Sequence, residues 1–136
     1  QRKQHIDFIL MGRCPRTKKS TSVTIDLKTY KRSKRAKNND AWQWLELRSA
    51  EGRPGWVYGE ADFVVFETRN SFILVSRSNL AKWAVVSSNI NFSSFVSNPW
   101  DAKYKLYTRP KKKEELVQVR TKDLLDIKGS TEWQKF

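Results

Sequence analysis

Ser22-Val-Thr-Ile-Asp-Leu-Lys-Thr-Tyr30 is the stretch on which the fold turns. Val23, Ile25 and Leu27 alternate with Thr24, Asp26 and Lys28, the period of two by which a strand turns one face to a core. The opposite face carries a carboxylate and an ammonium two residues apart, pointing the same way. Upstream, Ile6-Asp-Phe-Ile-Leu-Met-Gly12 reads as another strand, with Asp7 near its start. Arg13-Cys-Pro-Arg-Thr-Lys-Lys-Ser20 between them is a basic turn, in which Pro15 excludes regular pairing. An Asp that begins one strand of a hairpin sits beside a residue late in its partner, so Asp7 and Asp26 are expected to lie together. An exposed Asp–Lys pair alone is worth little. Two acids on adjoining strands in a basic setting carry more.

The setting is strongly basic. The 136 residues hold 27 Lys and Arg against 14 Asp and Glu, a formal net charge of +13. An excess of this size implies a polyanionic partner, with nucleic acid foremost. The charge is also uneven: Arg13 to Lys37 holds ten basic residues and one acid, Asp26, whereas Asn38 to Glu67 holds six acids and only Arg48 and Arg53. Single copies of Cys14 and His5 exclude an intrachain disulfide and a cysteine- or histidine-based metal cluster. With no apolar run of transmembrane length and no secretory signal, a cytoplasmic location without a membrane partner is expected. The length suits one domain spanning residues 1–136.

Further along, Lys31, Arg32, Lys34, Arg35 and Lys37 leave the Asp26 strand and are expected to meet phosphates, as are Lys18 and Lys19 in the turn. Ala41-Trp-Gln-Trp-Leu-Glu-Leu-Arg48 alternates as a third strand, with Trp42, Trp44 and Glu46 on one face and Gln43, Leu45 and Leu47 on the other. The tryptophans either stack on bases or belong to the core. Ala61 to Glu67 and Ser71 to Val75 read as strands, and Ser78 or Asn79 is expected to cap a helix running on from Leu80. Ser87 to Pro99 reads as a connecting loop anchored by Ile90, Phe92 and Phe95. Tyr104 to Thr108 and Glu115 to Arg120 form a hairpin whose tip presents Lys111, Lys112 and Lys113 to DNA. Thr121 to Ile127 is a short helix or turn, and Gly129 to Phe136 a tail. Together these elements give an α/β domain, a mixed central sheet flanked by a few helices.

Asp7, followed by Asp26-x-Lys28 on the next strand, resembles the active-site motif of the PD-(D/E)XK nuclease superfamily. Gly55-Trp-Val-Tyr-Gly-Glu-Ala-Asp62 and Phe72-Ile-Leu-Val-Ser-Arg-Ser-Asn-Leu80 extend the likeness, more loosely, to small phage-type members. The resemblance implies a restriction-endonuclease-like core and hydrolysis of DNA phosphodiesters. It implies Mg²⁺, with Mn²⁺ as substitute, on the carboxylates of Asp7 and Asp26 and the Leu27 carbonyl, and Lys28 beside the attacking water. The family usually carries a further acid on a helix ahead of the first strand, so some residues before Gln1 are expected to be missing. The implied activity is that of a phage homing endonuclease, working in the infected bacterial cell. A Holliday-junction resolvase is the alternative. The implied partners are double-stranded or branched DNA and a second copy in a homodimer or higher symmetric oligomer, since two strands must be cut. The contrasting class is a nucleic-acid-binding protein without catalysis, whose mark is stacking aromatics, Trp42 and Trp44, on a basic sheet.

Overall fold

Alternating apolar residues set the strands, and two sheets close over the core they share. A computed structural model of the chain describes residues 5–13, 15–29, 40–86 and 89–136. In chain order its elements are β1 (Phe8–Arg13), β2 (Ser20–Lys28), β3 (Trp42–Arg48), β4 (Phe63–Glu67), β5 (Ser71–Ser76), α1 (Arg77–Val86), β6 (Asn91–Val96), β7 (Lys105–Tyr107), β8 (Glu115–Arg120), α2 (Thr121–Leu125) and β9 (Thr131–Gln134). The first sheet runs β1-β2-β4-β5-β9 and the second β3-β8-β7-β6. Both are mixed: β2 lies parallel to β4, and β6 parallel to β7, while the other pairs are antiparallel.

The core takes Val64, Phe66, Ile73 and Val75 from the first sheet and Leu45, Leu47, Leu106, Val117 and Val119 from the second. Leu80 and Ala84 of α1 and Leu124 of α2 pack into it as well. Phe66 meets Trp56 edge to face, with ring centroids 6.0 Å apart. Trp56 sits in a short 3₁₀ turn, Trp56–Tyr58, that Gly55 presses onto β3. A Cβ on Gly55 would fall 2.2 Å from the Glu46 carbonyl oxygen, so only glycine fits this approach. No helix among the described residues is long and apolar enough to cross a membrane.

Four expectations need correction. The sheet is not one but two, because alternation places a residue on a face without saying which sheet its strand joins. Ser87 to Pro99 is not all loop, since Asn91–Val96 is the edge strand β6. Its phenylalanines are no anchors: Phe92 is 43% and Phe95 58% exposed, and only Ile90 is buried. An edge strand with one bonded neighbour tolerates the Ser and Asn content that reads as loop. The tail contains β9, which adds to β5 in antiparallel register. Finally, α1 begins at Arg77, and it is the Ser76 hydroxyl that accepts the Asn79 N–H, at 3.3 Å.

Candidate functional site

The β1–β2 hairpin brings the sequence-predicted acids together. Phe8 pairs with Ile25, which sets Asp7 beside Asp26. The Asp7 N–H donates to the Ile25 carbonyl and its Oδ2 accepts the Leu27 N–H, each at 2.8 Å. The Lys28 ammonium lies 3.1 Å from Asp26 Oδ1 and 4.3 Å from the centroid of the Trp56 ring. Asp26 is not on a solvated face, as alternation alone suggests. β4 pairs with β2 along Ile25–Lys28, β1 reaches it only as far as Ile25, and the Asp26 side chain is only 4% exposed. Its Oδ2 is buried without a hydrogen-bond partner among the described residues. Burial pushes the Asp26 carboxyl above the ordinary Asp range; Lys28 pulls it back, and the neighbouring Asp7 carboxyl raises it further.

A stability prediction follows from that direction. Where the folded pKa of an acid lies above its unfolded value, the native state holds the proton more tightly. Its contribution is then greatest below the unfolded pKa and is lost as pH rises through the folded pKa. Asp26→Asn removes the buried charge and keeps the shape. It is expected to raise the neutral-pH unfolding temperature by roughly 3 °C or more, the worth of about 1 kcal/mol in a domain of this size. The advantage over wild type should shrink as pH falls toward the ordinary Asp range. Scanning calorimetry of both proteins across acid and neutral pH measures it, and an advantage that grows on acidification would contradict it.

The implied Mg²⁺ and Mn²⁺ are not supported. Among the described residues no group of three or more His, Cys, Asp or Glu comes together where it could hold a metal ion. The two acids that do meet have other engagements: Asp7 Oδ2 accepts the Leu27 N–H, and Asp26 Oδ1 faces Lys28. The metal-ligand role expected of Asp7, Asp26 and Leu27 is withdrawn accordingly.

The predicted phosphate contacts fall in different places. Lys18 and Lys19 are exposed at the β1–β2 turn, and Lys111, Lys112 and Lys113 at the β7–β8 turn. The second turn is clamped at its base, where Arg109 Nη2 donates to Glu114 Oε1 at 2.6 Å. The Glu114 carboxyl is buried, and Arg109 holds it below the ordinary Glu range. Lys31, Arg32, Lys34, Arg35 and Lys37 lie outside the described residues.

A second cluster, only half anticipated, occupies the outer face of the second sheet. Trp42 is opposite Arg120, Trp44 opposite Gln118 and Glu46 opposite Leu116, while Leu116 is also opposite Tyr107. All these side chains therefore share one face, and Leu45, Leu106, Val117 and Val119 fill the other toward the core. Trp44 and Tyr107 have ring centroids 6.2 Å apart, and Trp42 meets Tyr104 edge to face at 5.8 Å. Lys103 Nζ lies 5.1 Å and the Arg120 guanidinium 5.6 Å from the Trp42 ring. The Tyr104 hydroxyl donates to Asp123 and accepts the Arg120 N–H, and burial with the Asp123 hydrogen bond pushes its pKa up to about 12. It stays neutral at any physiological pH. Gln118 Nε2 donates to the Pro99 carbonyl at 2.7 Å, which ties the short turn carrying exposed Trp100 to the same face.

The sequence offered Trp42 and Trp44 as stackers or as core. The structure turns them outward and leaves Trp44 39% exposed. Tyr104, Tyr107, Lys103, Lys105 and Arg120 were missed as companions. The usable signal was that Lys105 and Tyr107, like Gln118 and Arg120, share strand parity. No protein-family model, curated protein or solved structure matches the chain.

Proposed function

We propose that the protein binds nucleic acid, laying unpaired bases against the outer face of the second sheet. The observation that supports the reading is the Trp42, Trp44, Tyr104 and Tyr107 cluster with Lys103 and Arg120 set against it. An aromatic platform takes any base by stacking, and cations beside it draw the phosphates. The net charge of +13 supplies the long-range attraction. A labelled single-stranded oligonucleotide, titrated at several salt concentrations, tests the proposal. Log affinity should fall linearly with log salt, by about 0.7 per neutralised phosphate for a single strand. The single strand should also bind more tightly than a duplex of the same sequence. Affinity independent of salt, or preference for the duplex, would overturn the reading.

A second reading, DNA endonuclease on a restriction-endonuclease-like core, has one specific support: Asp7, Asp26 and Lys28 meet on adjoining strands. In it the Asp26 carboxylate takes a proton from water as the water oxygen bonds to phosphorus and the bond from phosphorus to the leaving sugar oxygen breaks, that oxygen taking a proton from solvent. Lys28 offsets the charge that develops on the phosphate. This reading predicts cleavage in the presence of a chelator, lost in Asp26→Asn and in Lys28→Ala. Supercoiled plasmid and a four-way junction, incubated side by side, separate general cutting from junction resolution. If neither is cut, only the binding reading stands.

A further inference from the structure

β1 is an edge strand that no ordinary edge resembles. Among the described residues it pairs only with β2. Phe8, Ile9, Leu10 and Met11 are 52%, 63%, 50% and 79% exposed, so apolar side chains stand in water on both faces of the strand. β2 meets β4 from Ile25 onward, which leaves residues 20–23 joined to β1 alone. The outer part of the hairpin is thus a two-stranded ribbon, and such ribbons are marginal in water without a further partner. Soluble proteins guard long apolar edges with charge, proline or a cover, because an unpaired edge is a template for another strand. Between Asp7 and Arg13 this edge carries neither charge nor proline, and among the described residues no further strand pairs with it.

We propose that β1 pairs with β1 of a second copy, antiparallel about a two-fold axis at Leu10, to make one continuous sheet through two subunits. The sequence is self-complementary in that register. Leu10 faces Leu10, Ile9 faces Met11, Phe8 faces Gly12 and Asp7 faces Arg13, so the apolar run meets itself and no like charges are opposed at its ends. Around Gly12 the space where a Cβ would sit is open, with nothing within 4 Å, and the Phe8 ring of the other copy can lie over that bare backbone. Antiparallel pairing also sends the two basic turns, each with Arg16, Lys18 and Lys19, to opposite ends of the joined sheet. Two chains of net charge +13 thereby meet along the uncharged run from Phe8 to Gly12. An isologous contact of this kind is the commonest way a homodimer closes. The proposal stands independently of which ligand the protein binds.

Sedimentation equilibrium of the full chain should show a dimer, and Leu10→Lys should shift it to monomer at the same concentration, since two like charges would then stand directly opposite. Circular dichroism of the variant confirms that the arm's change has not unfolded the body. Cross-linking fixes the register. In a Cys14→Ser background, Leu10→Cys places two sulfurs directly opposite across the axis, at a spacing a disulfide spans. Mild oxidation should link that variant nearly completely and link Met11→Cys little, because residue 11 faces residue 9. A monomeric wild type would overturn the proposal. So would a dimer that Leu10→Lys leaves intact, or preferential linking through position 11.

Discussion

Trp44→Ala is expected to weaken binding of a single-stranded oligonucleotide by roughly one to two orders of magnitude. Stacking one base on an aromatic side chain is worth about 1–3 kcal/mol, and about 1.4 kcal/mol is tenfold in affinity. Trp44 is the clean choice on this face. It is exposed and points away from the core that Leu45 fills, so its removal should cost the fold little. Trp42 is less clean, being half-buried against Tyr104 and held between Lys103 and Arg120. The two kinds of contact should also separate by salt. Trp44→Ala removes a stack and should leave the salt slope unchanged, whereas Arg120→Gln removes a phosphate partner and should flatten the slope by about 0.7. Fluorescence anisotropy on wild type and both variants reads affinity and slope together. An unchanged affinity for Trp44→Ala would remove this tryptophan from the interface.

Phe66→Ala is expected to cost about 3–5 kcal/mol of stability, the usual loss for truncating a fully buried aromatic residue. Domains of this kind have about 5–15 kcal/mol in hand, so the variant should be near the edge of folding. The reasons are local. Phe66 is 1% exposed in β4, between the parallel partner β2 and the antiparallel partner β5, and its ring is the edge-to-face support of Trp56. Trp56 in turn lies under the Lys28 ammonium. Loosening it should therefore disturb the Asp26–Lys28 pair as well as the core. Urea unfolding gives the comparison: the midpoint should fall sharply with little change in slope. A midpoint within experimental scatter of wild type would mean that the two sheets do not share this residue as their core.

What was legible in the sequence was mostly local. The period of two separated the faces of β3, Leu45 and Leu47 on one and Trp42 and Trp44 on the other, but left open which of them turns to the core. The basic turn between Arg13 and Ser20, read as joining two strands of a hairpin, was enough to bring Asp7 to Asp26. What alternation lacks is information about neighbours. It placed Asp26 opposite the Ile25 side of β2 but not against β4 and beside Asp7, and so missed its burial. It could not tell that β3 leaves the sheet of β2 for a second one, because pairing across 70 or more residues, Trp42 with Arg120, leaves no mark on either strand alone. β6 and β9 escaped for a different reason. Asn91-Phe-Ser-Ser-Phe-Val96 and Thr131-Glu-Trp-Gln134 are edge strands whose exposed residues bury little, and their pairing rests on backbone hydrogen bonds that any sequence supplies. The implied metal failed on the same limit, since a motif names two acids and only the fold shows what already engages them.

The chain's six tryptophans make binding at the outer face of the second sheet directly measurable. Each indole N–H gives one resonance in a nitrogen-15 correlation spectrum, and an unlabelled single-stranded oligonucleotide can be titrated against all six at once. Trp42 and Trp44 are expected to move, and Trp133, on β9 at the far edge of the other sheet, to stay in place. Bound oligonucleotide with Trp42 and Trp44 unmoved would contradict it.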